Sequence, residues 1–403
     1  MTGGRCLTGK MRVRLLIVLA LLCWPAVGTA QVSGRFFLEK ETYAVGEPVL
    51  LYFEVTNNGS EPVNIPNADP YSFCSGYRIQ VSSDPSPTSS CAPGGFGGSC
   101  FSSDMTLKPG EKYTQRILMN DEHNVRAPGT YFVEAERSIG YAPSSLNYFE
   151  AVKSTVEVHE RLLFRVDANI SVEEASLQVW VQQLKSDDSA KRREAARILA
   201  AMAPPSLEEL LLSFCDSAEF RMWAPRAMHG LNTPRSLQAL ADLLKKTEPG
   251  TYEHMKSADF LAETGDAKWY PVLRKVAEKK PNIANYVDNA ASSGGDQSLP
   301  LLLTLMQSPD KEFTRINAVT ALGYTGSRAA IPILLNLLQG DDLDIAQRAL
   351  FALRQLTHRT EGDALWSEHP QVQYAKWATW WSREGSSAPI YRAGECGEFK
   401  QLQ

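Results

Sequence analysis

The chain has 403 residues, of which 43% are hydrophobic and 22% charged, and a formal net charge of −5. That profile belongs to an ordinary globular protein long enough for two or three domains. Its acidic balance excludes a general electrostatic attraction to nucleic acid or to anionic lipid.

At the N-terminus Arg5, Lys10, Arg12 and Arg14 precede an apolar run from Leu15 to Trp24. The run is too short to span a bilayer. Pro25 breaks it, and Gly28-Thr29-Ala30 supplies small residues. The pattern predicts a signal peptide over residues 1–30, cleaved between Ala30 and Gln31. The alternatives are an uncleaved anchor and a lipoprotein at Cys23, where Leu22 stands in place of the usual small residue. Cleavage removes four positive and no acidic residues, taking the charge from −5 to −9. The expectation is an exported protein, periplasmic or secreted, with no integral membrane segment left after cleavage.

Residues 31–165 have the period of strands. In Val49-Leu50-Leu51-Tyr52-Phe53-Glu54-Val55 every odd position is apolar, and Tyr131, Val133 and Ala135 alternate with Phe132, Glu134 and Glu136. Further strands are predicted at 35–39, 63–65, 77–82, 113–119 and 149–158. Asn57-Asn58-Gly59, Lys108-Pro109-Gly110 and Ala127-Pro128-Gly129 punctuate them. Seven or eight short strands in this length suggest a β-sandwich. Residues 84–104, rich in Ser, Pro and Gly, read as a long hairpin loop. Outside the cytoplasm a disulfide is expected among Cys74, Cys91 and Cys100. Cys91 with Cys100 makes the shortest closure, and spacing alone leaves Cys74 with either as the alternative. Cys215, beside Phe214 on an apolar helix, reads as a packed thiol.

The stretches Tyr43-Ala44-Val45-Gly46-Glu47-Pro48-Val49 and Val55-Thr56-Asn57-Asn58-Gly59 resemble the opening strands of bacterial immunoglobulin-like domains. Leu107-Lys108-Pro109-Gly110-Glu111 and Pro128-Gly129-Thr130-Tyr131 are similar to their later turns. The layout is also similar to bacterial intracellular proteinase inhibitors. What the resemblance implies is an immunoglobulin-like fold, not an inhibitory activity.

From about residue 166 the period becomes helical, with Arg161 to Asn169 read as a linker. The apolar set Ile331, Leu334, Leu335 and Leu338 forms one helix face. It recurs at Leu177/Trp180/Val181/Leu184, Leu207/Leu210/Leu211/Phe214, Leu237/Leu240/Ala241/Leu244 and Leu299/Leu302/Leu303/Met306. Tyr270/Leu273/Arg274/Ala277 is a weaker copy. The first members lie 29 to 33 residues apart, a period that predicts stacked helix pairs, about six of them. Ser171 with Glu174 and Ser206 with Glu209 read as capping boxes. Gly265, Gly294 and Gly326 each lie six residues before a proline. In that arrangement the glycine leaves one helix left-handed and the proline sits in the first turn of the next, so a helix should begin near Ala329 or Ala330. Small residues on the first helices, such as Ala195/Ala196, Ala318/Ala321 and Ala349/Ala352, allow close approach. Tyr286 to Gln297 has few helix formers and reads as a bent or loose repeat. Tyr374/Trp377/Ala378/Trp381 reads as a bulky cap on the last hydrophobic edge, and residues 386–403 as a tail.

The block Ala318-Val319-Thr320-Ala321-Leu322-Gly323-Tyr324-Thr325-Gly326 with Ala330-Ile331-Pro332-Ile333-Leu334 resembles HEAT repeats, in particular the short form of phycobilisome-lyase-like proteins. The resemblance implies an α-solenoid over residues 166–385, so the fold class is multidomain, all-β followed by all-α. It further implies that the second helix of each pair lines a concave face. Carried over, that face would present Asp242, Lys245, Lys275, Glu278, Asn336 and Gln339, a mixed-charge set suited to a polypeptide.

No catalytic set is legible. The histidines show no metal-ligand spacing, no nucleophile elbow exists, and Glu173/Glu174 and Glu208/Glu209 fall in first helical turns, where acids complement the helix dipole. His358 and His369 flank acids, a weak metal pattern. The expectation is therefore a non-catalytic scaffold without cofactor or metal, binding a protein or peptide and not nucleic acid. The alternatives are a proteinase-inhibitor-like β module and a lyase-like enzyme.

Overall fold

Alternation in the sequence becomes two β-sheets. The computed structural model describes residues 31–67, 76–83, 103–122, 125, 127–145, 154–170, 174–359, 370–385, 387–393 and 399–402. Strands β1 (Val32–Leu38), β3 (Leu50–Asn57) and β7 (Lys112–Leu118) form a three-stranded antiparallel sheet with Phe36 opposite Phe53 and Val55 opposite Tyr113. A six-stranded sheet holds β2 (Thr42–Ala44), β9 (Ser154–Asp167), β8 (Gly129–Pro143), β4 (Val63–Asn67) and β6 (Ser103–Leu107) in that order, with β5 (Tyr77–Ser82) paired to β8. The odd positions of β3 and the set Tyr131, Val133 and Ala135 of β8 are all buried.

Residues of both sheets meet at Arg137. Its guanidinium lies 4.5 Å from the Phe53 ring and 4.2 Å from the Tyr77 ring, and it donates to Gln115 Oε1 at 2.8 Å. A buried cation needs such a hydrogen-bonded, aromatic setting. Asn57, expected only as a turn residue, is wholly buried. Its side chain donates to the Glu61 and Leu107 carbonyls at 2.8 and 2.9 Å and accepts the Gly59 N–H at 2.9 Å.

The expected linker at 161–169 is a correction, because β9 continues to Asp167. Phe164 and Val166 are buried while Leu163 is exposed, so the period is that of a half-buried strand. The region of 149–158 read as a strand is described from Ser154 on. The expected cleavage point after Ala30, the cysteines Cys74, Cys91 and Cys100, and Ser171 lie outside the described residues.

The chain divides into two compact units, with the helical array in the second. Helix α1 (Glu174–Gln183) leads into six pairs: α2 (Ser189–Met202) with α3 (Glu208–Ser213), α4 (Ala224–Leu231) with α5 (Pro234–Lys246), and α6 (Tyr252–Glu263) with α7 (Tyr270–Lys279). These are followed by α8 (Ala284–Gly294) with α9 (Leu299–Met306), α10 (Ile316–Leu322) with α11 (Ala330–Leu337), and α12 (Leu343–Thr357) with α13 (Pro370–Glu384). The first helices α2, α4, α6, α8, α10 and α12 stack each on the next. Six of their alanines, Ala196, Ala227, Ala258, Ala291, Ala321 and Ala352, are fully buried.

Helix α11 begins at Ala330, with Pro332 in its first turn, and Pro271 and Pro300 occupy the first turns of α7 and α9. Gly265 and Gly326 take φ of +67° and +62°. The middle turn differs, because the left-handed residue is Gly295, at φ +54°, and not Gly294. Gly294 is required for another reason: a Cβ there would lie 2.6 Å from the Tyr270 ring.

Three further expectations are corrected. Ser206 does not cap α3, because Pro205–Leu207 forms a 3-10 turn and Leu207 stands at the N-cap without a side-chain bond. A reciprocal capping box occurs instead at Thr233 and Ser236 before α5. The region 286–297 is not loose. In α8, Tyr286, Val287, Ala290 and Ala291 are buried, so tertiary burial outweighs weak helix propensity. Finally, Leu303 is 42% exposed and α9 instead buries Leu301, Leu302 and Leu305. An all-apolar helix gives the stripe no polar face to mark its edge.

Residues 386–403, read as a tail, contain an antiparallel hairpin of β10 (Ile390–Ala393) and β11 (Phe399–Leu402). Ala388 and Ile390 join the array core, and the Tyr391 ring stacks on His358 at 4.3 Å. Arg328, in the turn before α11, donates to the carbonyls of Gly385 and Ala388, the latter at 2.6 Å.

Candidate functional site: the polar surface and turn cleft of the array

The six residues expected to face a partner stand on three helices. Asp242 and Lys245 lie on α5, Lys275 and Glu278 on α7, and Asn336 on α11, with Gln339 just past its end. Asp242 is half-buried and the other five are exposed. Two of the charges are paired with each other, Lys245 Nζ lying 2.8 Å from Asp242 Oδ1, and the Gln238 amide donates to the same oxygen at 3.2 Å. The Asp242 carboxyl is accordingly held below its ordinary range, mainly by the Lys245 hydrogen bond. Glu278 accepts from Arg274 Nε one turn away at 2.7 Å. Exposed pairs of this kind contribute little to stability, so they hold side chains in place more than they stabilise the fold. Helix α9, between α7 and α11, contributes none of the six. They form two clusters, one on α5 with α7 and one on α11, and not one patch.

A cleft of about 370 Å³ opens where three repeat turns meet the C-terminal hairpin. Gly265, Gly295 and Gly326 line it, together with Ser293, Asp296 and Arg392. The Arg392 Nη2 lies 3.4 Å from where a Cβ on Gly295 would stand, so the guanidinium packs against this turn. Arg392 Nε and Ser293 Oγ are both buried without a hydrogen-bond partner. The turns precede the N-termini of α7, α9 and α11, helices of 10, 8 and 8 residues. Ser293 and Gly294 are the last residues of α8, so the helix end that lines the cleft is a C-terminus, which carries partial negative charge. Sequence reasoning found the three turns but missed Arg392, which reaches them from a hairpin with no local motif.

Two buried titratable groups lie in the same array. His254 on α6 places Nδ1 2.7 Å from the Tyr286 hydroxyl of α8, which also accepts the Gly250 N–H at 2.9 Å. Burial, aided by the positive charge of Lys279, pushes its pKa down to about 4. Asp288 on α8 has Oδ1 buried without a partner, and burial pushes its carboxyl up to about 7.

Other candidate residues have structural roles. Glu208 accepts the Thr233 hydroxyl at 2.6 Å, and Glu209 pairs with Arg235. Cys215 is a half-buried thiol packed against the core, and burial together with Asp216 pushes it up to about 11. Of the stripe Tyr374/Trp377/Ala378/Trp381, Trp377 is buried in the array core and the other three are half-buried, while Trp380, outside the stripe, is buried beside Trp377. His369 and its acidic neighbours at 361–368 lie outside the described residues. Among the described residues no group of three His, Cys, Asp or Glu could hold a metal ion, and no helix is long and apolar enough to cross a membrane.

Comparison with known proteins identifies HEAT repeats at residues 177–255 and 283–354. A search of curated proteins finds none that matches. Among solved structures, the complex of CpcE and CpcF of phycocyanin lyase from Nostoc is 18% identical with a TM-score of 0.32, over 47% of this chain and 79% of that one. A Salmonella alpha-2-macroglobulin mutant is 12% identical with a TM-score of 0.19, over 90% of this chain and 28% of that one. An Escherichia coli alpha-2-macroglobulin activated by porcine elastase is 13% identical with a TM-score of 0.19, over 93% and 39%. The chain thus spans well under half the length of the two macroglobulins. At these scores the structural similarities carry no argument, and the repeats rest on the family match alone.

Proposed function

We propose that the chain is an exported, non-catalytic scaffold that binds a protein or peptide partner through its helical array. One observation carries this reading. The buried apolar residues from Ala196 to Ile390 form a single continuous core. The helices satisfy their apolar faces on one another and leave charged residues of both signs outside, Asp242, Lys245, Lys275 and Glu278 among them. That is the build of repeat proteins that bind along their length. The immunoglobulin-like reading of the β-rich unit belongs to the same proposal. Its support is the strand order, in which strands 1, 3 and 7 lie in one sheet and 2, 9, 8, 4 and 6 in the other, so that successive strands cross between sheets as in a Greek-key sandwich.

Binding is tested on the full chain by crosslinking in the native cell. The variant reverses Asp242→Lys, Lys245→Glu, Lys275→Glu and Glu278→Lys. Reversing both members of the 242–245 pair lets that pair re-form, so the fold is expected to hold. The reading expects at least tenfold less crosslinked partner, and unchanged capture counts against it. Export is tested by N-terminal sequencing of the mature protein. A start at Gln31 supports it, and a start at Met1 contradicts it.

A further inference from the structure

We propose that the cleft between the three repeat turns and the C-terminal hairpin is a carboxylate-binding site, through which the array takes an acidic or C-terminal group of a polypeptide. This deepens the scaffold reading and rests on it for the class of partner. Three features converge. The Arg392 guanidinium enters the cleft with a buried Nε that has no partner. Ser293 is 3% exposed, lines the same cleft, and its hydroxyl is likewise unpartnered. A buried donor left unmatched is destabilising, and a ligand oxygen drawn into the cleft would match it. Ser293 and Gly294, the last residues of α8, line the cleft beside the turns that lead toward α7, α9 and α11. The wall is glycine at positions 265, 295 and 326, each at positive φ, where any side chain would be strained.

Among the described residues lining the cleft, Arg392 is the one cation and Asp296 the one anion, so a dianion is disfavoured. A carboxylate matches the guanidinium in a two-point hydrogen bond, whereas a phosphate dianion would bring a second negative charge toward Asp296. The N–H groups of Gly265 and Gly295 are already donated to the carbonyls of Ala262 and Ala291. The ligand contact therefore centres on Arg392. The hairpin that carries Arg392 is fixed by Arg328 and by the Tyr391–His358 stack, so the guanidinium is held ready.

The test uses full-length protein labelled with ¹⁵N-glycine. The probes are acetyl-trialanine with a free C-terminus, its C-terminal amide, an amide-capped peptide with an internal glutamate, and inorganic phosphate. At least one carboxylate peptide should shift the amides of Gly265, Gly295 and Gly326, the capped trialanine should not, and phosphate should bind more weakly. Which of the two carboxylate peptides binds decides between a chain terminus and an acidic side chain. Arg392→Gln should weaken that binding about tenfold, and Arg392→Lys should weaken it less. A melting temperature equal to the parent's confirms that each variant is folded, and Ser293→Ala supplies a second, milder variant. Carboxylate shifts that survive Arg392→Gln, equal shifts from the capped peptide, or none at these glycines overturn the assignment. If the glycines respond but the charge reversals leave partner capture unchanged, the surface reading fails alone. If capture changes and the glycines stay silent, the cleft assignment fails alone.

Discussion

Trp377→Ala is expected to lower the stability of the C-terminal end of the array by about 3–5 kcal/mol, the usual cost of truncating a buried tryptophan. Trp377 has no exposed surface and meets Trp380 edge to face at 5.5 Å. Both rings belong to the core that runs back through every helix pair. In a stack of repeats the terminal unit covers an edge that would otherwise face water. Removing the ring leaves a cavity and weakens the lid over α11 and α12 together. Val372→Ala on the same helix is the control. Val372 is 47% exposed, and exposed changes stay within about 0.5 kcal/mol. Urea unfolding followed by circular dichroism reads the difference.

Asp288→Asn should stabilise the protein at pH 8, by about 2–4 kcal/mol at 1.36 kcal/mol per pKa unit. The Asp288 carboxyl titrates near 7 in the fold against an ordinary 3.8, because burial penalises its charged form. A raised folded pKa means the native state binds the proton more tightly. Its contribution is present below the unfolded pKa near 4 and is lost as pH rises through 7. His254 works in the opposite direction. Its folded pKa of about 4 lies below the ordinary 6.5. The native state therefore binds the proton less tightly, and stability is lost as pH falls from about 6.5 toward 4. Between pH 4 and 6.5 the two slopes oppose each other. The Asn variant should expose the histidine slope, with stability rising as pH rises across that window. A variant whose profile stays parallel to the parent's would show that Asp288 is ionised in the fold at neutral pH.

The repeat was legible because its signals are local. An apolar stripe, a turn glycine and a first-turn proline recur at one spacing, and each obeys a backbone rule independent of its neighbours. Even the long-range pair His254 and Tyr286, 32 residues apart, follows from that spacing. What was misread depends on tertiary approach. Nothing near Gly294 and Gly295 says which turns left-handed; the Tyr270 ring beside Gly294 decides it. In Leu299 to Met306 every face is apolar, so only the neighbours of α9 choose Leu301 over Leu303. Residues 161–167 looked like a connector because their polar positions are the exposed half of a strand. Of the candidate site, the turns were readable and Arg392 was not, since its role arises from a hairpin folding back on the array.

In a stack, each helix pair of the helical half is held by its neighbours. Amide hydrogen exchange by mass spectrometry, comparing the parent with Trp377→Ala, tests this directly. A stack predicts protection lost over residues 316–385 and retained over residues 195–263, since opening at one end need not cross every interface. Equal loss across both regions would mean that the helices unfold as one globule, and would contradict it.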